Sequence, residues 1–156
     1  MDTQNQSNDY IYISYRRSQD KYIAMAMAMY LQQQGYRVWQ DVQYDSSDMF
    51  NTEYKRSIND AIRHCSDFIL LMGDGYRPED SFDWLGAELE LAMHYGCHVV
   101  PVIAKGISIE QVLPKYSNLI ASEVCFQLPD NMMTLHDDLF KDQLTKILKT
   151  TPTNQQ

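Results

Sequence analysis

The chain has 156 residues, of which 44% are hydrophobic, and its formal net charge is −8 at pH 7. This length suits one globular domain with a full core. The acidic balance argues against a general binder of nucleic acid or of anionic membranes, since both require a basic field. The longest apolar runs fall far short of the roughly 20 residues that a membrane-spanning helix needs.

Both ends of the chain are polar, and the N-terminal stretch MDTQNQSND lacks the pattern of a signal peptide. We expect residues 1–9 and 150–156 to be disordered and residues 10–149 to form a single domain. The cysteines are Cys65, Cys97 and Cys125. Each lies in or beside an apolar segment and none has CxxC spacing. The pattern therefore indicates reduced core thiols in a cytoplasmic protein and gives little support to a zinc site.

Strands and helices alternate along residues 10–149. Runs of β-prone or apolar residues predict strands at 10–14, 36–42, 67–72, 97–103 and 124–128. Apolar residues at helical spacing predict helices at about 18–34, 54–65, 81–96 and 136–148. Gly35 and Gly96 are expected to end the first and third helices. This alternation predicts a parallel sheet with helices on both faces.

The third predicted helix, SFDWLGAELELAMHYG at 81–96, carries a carboxylate beside its apolar stripe. The stripe expected to face the core consists of Leu85, Leu89, Ala92 and Met93. An adjoining stripe contains Trp84, Glu88, Leu91 and Tyr95. Glu88 is expected at the boundary between interior and solvent, whereas Glu90 points elsewhere. A carboxylate at that boundary is either a solvated residue on the flank of the helix or part of a functional site.

Ligands of such folds bind beyond the carboxyl ends of the strands. That rule selects Tyr15, Arg16 and Arg17 after the first strand, residues 41–53 after the second, and residues 73–88 after the third. No GxGxxG follows a strand, and GxxxxGK[ST] and GxSxG are absent.

Arginine pairs suit phosphates, although Arg16 and Arg17 are equally suited to pairing with a local acid such as Asp20 or Asp41. Taken alone, Trp84 is typical of a core or interface anchor. Only the combination of arginines, tryptophan and glutamate at one edge of the sheet favours a binding site.

Four segments in order, YIYISYRRSQD, LQQQGYRVWQDV, SINDAIRHCSDFILLM and DWLGAELELAMHYGCHVVPVI, resemble a TIR domain over about residues 9–128. The resemblance is strongest to the bacterial and axon-degeneration TIR enzymes. It implies an α/β, flavodoxin-like three-layer sandwich with a five-stranded parallel sheet. It also implies cleavage of NAD+ at the nicotinamide–ribose bond, with Glu88 as the catalytic residue because it follows Trp84 by four positions.

The resemblance implies that Tyr15, Arg16, Arg17 and Trp84 bind substrate. The family's aromatic residue in the loop after the second strand matches Phe50 by distance from the strand and Tyr54 by distance from the following helix. NAD+ is the substrate in such enzymes, and neither a cofactor nor a metal ion is implied.

Homotypic self-association is a further implication of the resemblance, and so is a separate effector that responds to the nucleotide product, as in Thoeris-type antiphage defence. The apolar pair Met49 and Phe50, within the polar segment 43–53, suggests a contact with another chain or packing back onto the domain. The alternatives to an enzyme of bacterial defence are a TIR adaptor without catalysis and a virulence factor that acts on a host.

Overall fold

The computed structural model of the protein describes residues 9–15, 20–39, 52–72, 84–103, 126–127 and 138–152. Within these ranges the strands are β1 (Ile11–Ser14), β2 (Val38–Trp39), β3 (Asp67–Met72), β4 (His98–Ile103) and β5 (Phe126–Gln127). The helices are α1 (Lys21–Gln33), α2 (Thr52–His64), α3 (Trp84–His94) and α4 (Asp138–Ile147). None of the helices in these ranges is both long and apolar enough to span a bilayer.

The described strands form one five-stranded parallel sheet in the order β2-β1-β3-β4-β5. β1 pairs with β3 from Ile11 opposite Asp67 to Ser14 opposite Leu70, and β3 pairs with β4 from Asp67 opposite His98 onward. The chain passes outward from β1 to β2 and then returns to the other side of β1 for β3, which is the winding of flavodoxin-like sheets. The predicted fold class is therefore confirmed.

Alternate residues of the strands face two separate apolar layers, because successive side chains of a strand point to opposite faces. Ile11 and Ile13 of β1 belong to a cluster with the buried face of α1 and with Leu144 of α4. Tyr12, between them, belongs to a second cluster with residues of α2 and α3. Helices thus cover both faces of the sheet, which makes the three layers.

Most element boundaries follow the sequence pattern. Gly35 and Gly96 have φ angles of 95° and 75°, which L residues rarely adopt, and they follow α1 and α3 as expected. The structure begins α2 at Thr52, so the predicted loop 43–53 ends slightly earlier than expected. Met93 is 48% exposed, so its predicted place in the core is wrong. Met93 lies one turn after buried Leu89 on the same stripe of the helix. Helical spacing, however, does not show whether other elements cover the helix at the level of Met93.

The two ends of the described chain meet at the amino edge of the sheet, the edge at which the parallel strands begin. Asp67, the first residue of β3, accepts hydrogen bonds from the backbone N–H groups of Lys149 and Thr150 and from the Thr150 hydroxyl. The backbone N–H of Thr151 donates to Asp9. Thr150 is buried, so the packed part of the chain extends past residue 149, further than expected. Residues 1–8 and 153–156 of the expected tails lie outside the described residues.

Candidate active site at the carboxyl edge of the sheet

A serine and a glutamate from distant parts of the chain meet at the carboxyl end of β1. Ser14 is the last residue of β1, and its Oγ donates a hydrogen bond to Oε1 of Glu88 in α3, at 2.7 Å. Both residues are buried, with exposures of 0% for Ser14 and 1% for Glu88. The contact therefore joins the second turn of α3 to the edge of the sheet where folds of this class bind ligands.

The alternation of β1 explains why Ser14 meets α3. Ser14 follows Tyr12 by two positions and so shares its face of the sheet. Tyr12 packs in the cluster that contains Leu89 and Ala92 of α3. Ser14 lies two residues further along the same face of β1, and it contacts Glu88, which directly precedes Leu89. A small hydroxyl side chain at this step leaves room for the glutamate side chain.

The burial of Glu88 excludes one of the two interpretations of this residue, that of a solvated residue on the flank of the helix. Glutamate is rarely fully buried, because removing a carboxylate from water is costly unless hydrogen bonds compensate. At 1% exposure Glu88 is not a solvated residue on the helix flank, and the expectation that it lies at the boundary with solvent is wrong. Glu90, two positions on, is exposed, as predicted. A buried carboxylate held by a hydroxyl can stabilise a developing cation or accept hydrogen bonds from substrate hydroxyls.

The other predicted site residues have different positions. Tyr15 directly follows Ser14 but is half-buried against the cluster on the α1 side of the sheet, which is the face opposite Ser14. Trp84 is the first residue of α3, one turn before Glu88, and Tyr54 is the third residue of α2. The side chains of Trp84 and Tyr54 lie outside the described part of the structure. Arg16, Arg17 and Phe50 also lie outside the described residues.

Ser14 is not among the site residues that the sequence predicts, and Asp20 is predicted only as a possible ion-pair partner of the arginines. Asp20 precedes the first residue of α1 and is buried. A signal for Ser14 existed, because YIYIS places a hydroxyl residue on the alternating face of an otherwise apolar strand. Within the described ranges, no group of three or more histidine, cysteine, aspartate or glutamate side chains is placed to hold a metal ion.

The chain matches known proteins both in sequence and in fold. The family model for the TIR domain matches residues 11–143. The NAD(+) hydrolase sarm1 of Drosophila melanogaster is 26% identical over 98 residues, which are 60% of this chain and 7% of that protein. The chain therefore corresponds to a small part of this relative.

Solved structures show the same fold at low sequence identity. The metazoan TIR-STING receptor from C. gigas, in complex with 2',3'-cGAMP, has a TM-score of 0.61 and 17% identity, over 91% of this chain and 39% of the receptor. The CMP N-glycosidase of Clostridium botulinum has a TM-score of 0.58 and 16% identity, over 88% of this chain and 99% of that enzyme. At these identities the likeness establishes the fold.

Proposed function

Because this chain belongs to the TIR domain family, we propose that it cleaves NAD+ at the nicotinamide–ribose bond, with Glu88 as the catalytic residue. The observation that carries this proposal is the buried Glu88 carboxylate, which accepts a hydrogen bond from Ser14 at the ligand-binding edge of the sheet. The likeness to the Drosophila NAD(+) hydrolase sarm1 and to a CMP N-glycosidase supports it.

The chemistry needs few groups from the protein. The nicotinamide of NAD+ is a pyridinium, so it leaves with the electron pair of the bond to ribose without needing a proton from a general acid. Its departure produces an oxocarbenium-like ribose, as in glycoside hydrolysis. The Glu88 carboxylate stabilises this positive charge and accepts hydrogen bonds from the ribose hydroxyls. Water that captures the cation gives ADP-ribose and a proton, whereas an atom of the same nucleotide gives a cyclic ADP-ribose isomer.

The remaining residues are assigned by the parts of NAD+ that they suit. Trp84 is one turn from Glu88 and offers an aromatic face to the pyridinium or ribose. Arg16 and Arg17 suit the pyrophosphate. Phe50 or Tyr54 contributes an aromatic wall to the substrate site. Tyr15 binds substrate only if its ring leaves the α1-side cluster against which it packs.

The decisive experiment incubates the purified chain with NAD+ and resolves the products by chromatography and mass spectrometry. We expect nicotinamide together with ADP-ribose or a cyclic isomer. Glu88→Gln keeps the side-chain volume and removes the charge, so we expect cleavage to fall at least ~10²-fold with little change in the melting temperature. Glu90→Gln is the matched control, because Glu90 is an exposed glutamate of the same helix. Cleavage by Glu88→Gln at the wild-type rate would show that the assignment is wrong.

Access to Glu88 requires a rearrangement, because a side chain exposed by 1% cannot contact a substrate from bulk solvent. We propose that homotypic association of TIR domains provides it, with residues 43–53 reaching the neighbouring copy. Specific activity is then expected to rise with protein concentration by mass action, and Phe50→Ala is expected to flatten this rise. Constant specific activity over a wide dilution series of stable protein would exclude a site that is completed by self-association.

A second candidate is a TIR interaction module without catalysis, and the burial of Glu88 is the observation that favours it. In that case the Ser14–Glu88 hydrogen bond serves only stability, and the chain yields no nicotinamide at any concentration.

For the catalytic form we propose a cytoplasmic role in antiphage defence of the Thoeris type, in which a separate effector responds to the nucleotide product. A virulence role in a host is the alternative. The mass of the product is the first measurement that distinguishes the defence role from the virulence role, since a cyclic isomer suits a signal to a separate effector.

A further inference from the structure

Two cysteines meet at the amino edge of the sheet, far from Glu88. Cys65 directly follows the last residue of α2, and Cys97 lies between Gly96, which ends α3, and the first residue of β4. Their Sγ atoms are 3.7 Å apart, and both thiols are free. The sequence pattern alone indicated only reduced core thiols and gave no reason to expect this contact.

The pairing of β3 with β4 brings the two cysteines close together. Cys65 precedes Asp67, the first residue of β3, by two positions, and Cys97 directly precedes His98, the first residue of β4; Asp67 and His98 are paired across neighbouring strands. Neighbouring strands are about 4.8 Å apart, and the Cα atoms of a disulfide are usually about 4.4–6.8 Å apart. We therefore expect the sulfur contact of 3.7 Å to close to a bond of about 2.05 Å mainly by rotation of the two side chains.

The two thiols differ in a way that suits stepwise oxidation. The hydrogen bond from the Cys65 thiol lowers the pKa of Cys97 below its usual value of 9.0, although partial burial opposes the change. The same hydrogen bond, followed by burial, raises the pKa of Cys65. Cys97 is only half-buried, whereas Cys65 is buried. Cys97 is thus the more accessible thiol and the more readily ionised one, and the thiolate is the form that attacks oxidants.

We propose that Cys65 and Cys97 form a peroxide-sensitive dithiol that closes to an intramolecular disulfide. The Cys97 thiolate attacks hydrogen peroxide, which gives a sulfenic acid on Cys97 and releases hydroxide. The Cys65 sulfur then attacks the Cys97 sulfur, so that the disulfide forms and the sulfenic oxygen leaves as water with the Cys65 proton. One equivalent of peroxide thus oxidises two thiols.

The disulfide ties the end of α2 to the end of α3. In the reduced protein the Cys97 thiol donates to the backbone carbonyl of Ile62 in α2, so this junction is already packed before oxidation. A covalent bond between residues 65 and 97 restricts the unfolded chain more than the folded one, which raises the melting temperature. The proposal does not depend on NAD+ cleavage, since both cysteines lie at the edge of the sheet opposite Ser14 and Glu88.

The test uses the full chain, reduced and then freed of reductant. Hydrogen peroxide is added in stepwise equivalents, remaining thiols are alkylated, and the protein is analysed by intact mass and by peptide mapping without reduction. We expect loss of two hydrogens, a peptide that links Cys65 to Cys97, and continued alkylation of Cys125. The melting temperature is expected to rise on the order of 5 °C on oxidation and to return on reduction.

Single variants separate the two steps. Cys65→Ser removes the resolving thiol, so peroxide is expected to leave a sulfenic acid on Cys97 that a cyclic diketone labels. Cys97→Ser is expected to leave Cys65 unlabelled, and Cys125→Ser, the matched control, is expected to oxidise as the wild type does. If Cys65 and Cys97 of the wild type both stay alkylatable under peroxide that fully oxidises a small thiol, or if the mapped link involves Cys125, the proposal is wrong. The peptide map of the wild type tests the proposal even where a variant does not fold.

Discussion

Asp67 and Glu88 are both buried carboxylates, but they lie at opposite edges of the sheet, and Asp67 accepts hydrogen bonds from backbone groups as well as from a hydroxyl. Asp67, at the amino edge, accepts from backbone N–H groups of Lys149 and Thr150, so it ties the segment after α4 to the start of β3. Glu88, at the carboxyl edge, accepts from the side-chain hydroxyl of Ser14. Asp67 thus combines backbone donors with the Thr150 hydroxyl, whereas the hydrogen bond between Ser14 and Glu88 joins two side chains.

From this difference we expect Asp67 to serve stability and Glu88 to serve the proposed chemistry. His98, whose Nδ1 lies 2.7 Å from Asp67, adds a further side-chain partner at the amino edge. Asp67 is therefore enclosed by groups that hold the ends of the fold together. In parallel α/β folds it is the carboxyl edge that receives ligands, and the position of Glu88 there agrees with the catalytic role proposed for it. Substitutions at the two acids should therefore affect different quantities.

The largest effect on stability is expected for Asp67→Asn. The substitution replaces a carboxylate oxygen by an NH2 group that faces N–H and hydroxyl donors, and it removes charge-assisted hydrogen bonds in a site exposed by 0%. We expect the free energy of unfolding to fall by about 2–4 kcal/mol, measured by urea denaturation. Activity per folded molecule should be unchanged well below the melting temperature, because Asp67 is at the edge opposite Glu88.

Asp142→Asn is the matched control for this prediction. Asp142 is a 60% exposed helix residue whose ion pair with Lys146 is 3.2 Å long. Exposed pairs of this kind contribute about 0.5 kcal/mol or less, so the control should unfold nearly as the wild type does. If Asp67→Asn and Asp142→Asn have the same free energy of unfolding, Asp67 does not stabilise the fold at the amino edge. The comparison between the two acids would then fail.

A smaller effect is expected for Ser14→Ala, which removes the hydroxyl donor to the buried Glu88 carboxylate and so lowers stability as well as catalysis. Without the Ser14 hydroxyl, the Glu88 carboxylate is no longer held in one orientation. The contacts of the substrate with other residues stay unchanged. We expect kcat for NAD+ cleavage to fall about tenfold, which corresponds to about 1.4 kcal/mol, with KM nearly unchanged. Ser14→Thr keeps a hydroxyl and should recover much of the rate.

Ser66→Ala provides the matched serine at the amino edge, where the Ser66 hydroxyl is 3.5 Å from Asp9. We expect it to leave kcat unchanged. If Ser14→Ala and Ser66→Ala lose kcat equally, both losses come from general destabilisation, and Ser14 does not position the Glu88 carboxylate. A change in KM alone for Ser14→Ala would have the same consequence.

The sequence predicts the order of strands and helices because apolar periodicity and the two terminating glycines are local signals. It also predicts Glu88 as a candidate, since Trp84 and Glu88 lie one turn apart at the start of a helix. It does not predict the depth of Glu88, because helical spacing gives a direction around the axis and not the closeness of the helix to the sheet. The contact with Ser14 depends on how α3 packs over β1, which is a long-range property.

The Cys65–Cys97 contact escaped prediction for the same reason. Each of these two cysteines lies beside an apolar segment, as the sequence indicates, but their meeting depends on the pairing of β3 with β4 and on the turns that precede both strands. The predicted roles of Arg16, Arg17 and Phe50 remain predictions, since these residues lie outside the described part of the chain.

The smallest effect is expected in the dependence of stability on pH, through Tyr10 at the amino edge. The Tyr10 hydroxyl donates to the backbone carbonyl of Ala61 at 2.5 Å, and burial, with the nearby Cys65 and Cys97, raises the pKa of Tyr10 above its usual 10.0. The folded state thus holds this proton more tightly than the unfolded state. The stability gained is fully present below pH 10 and is lost as the pH rises above it, by at most about 1.4 kcal/mol per pH unit for one proton.

Tyr10→Phe tests this dependence. At pH 7 the variant lacks the hydrogen bond to Ala61 and should be less stable by about 1 kcal/mol. Because the variant has no Tyr10 proton to lose, its stability should fall less steeply above pH 10, although Cys65, whose pKa is also raised, still contributes to the fall in both proteins. The gap between wild type and variant, measured by urea denaturation from pH 8 to pH 11, should therefore narrow. A constant gap would show that Tyr10 titrates alike in the folded and unfolded states.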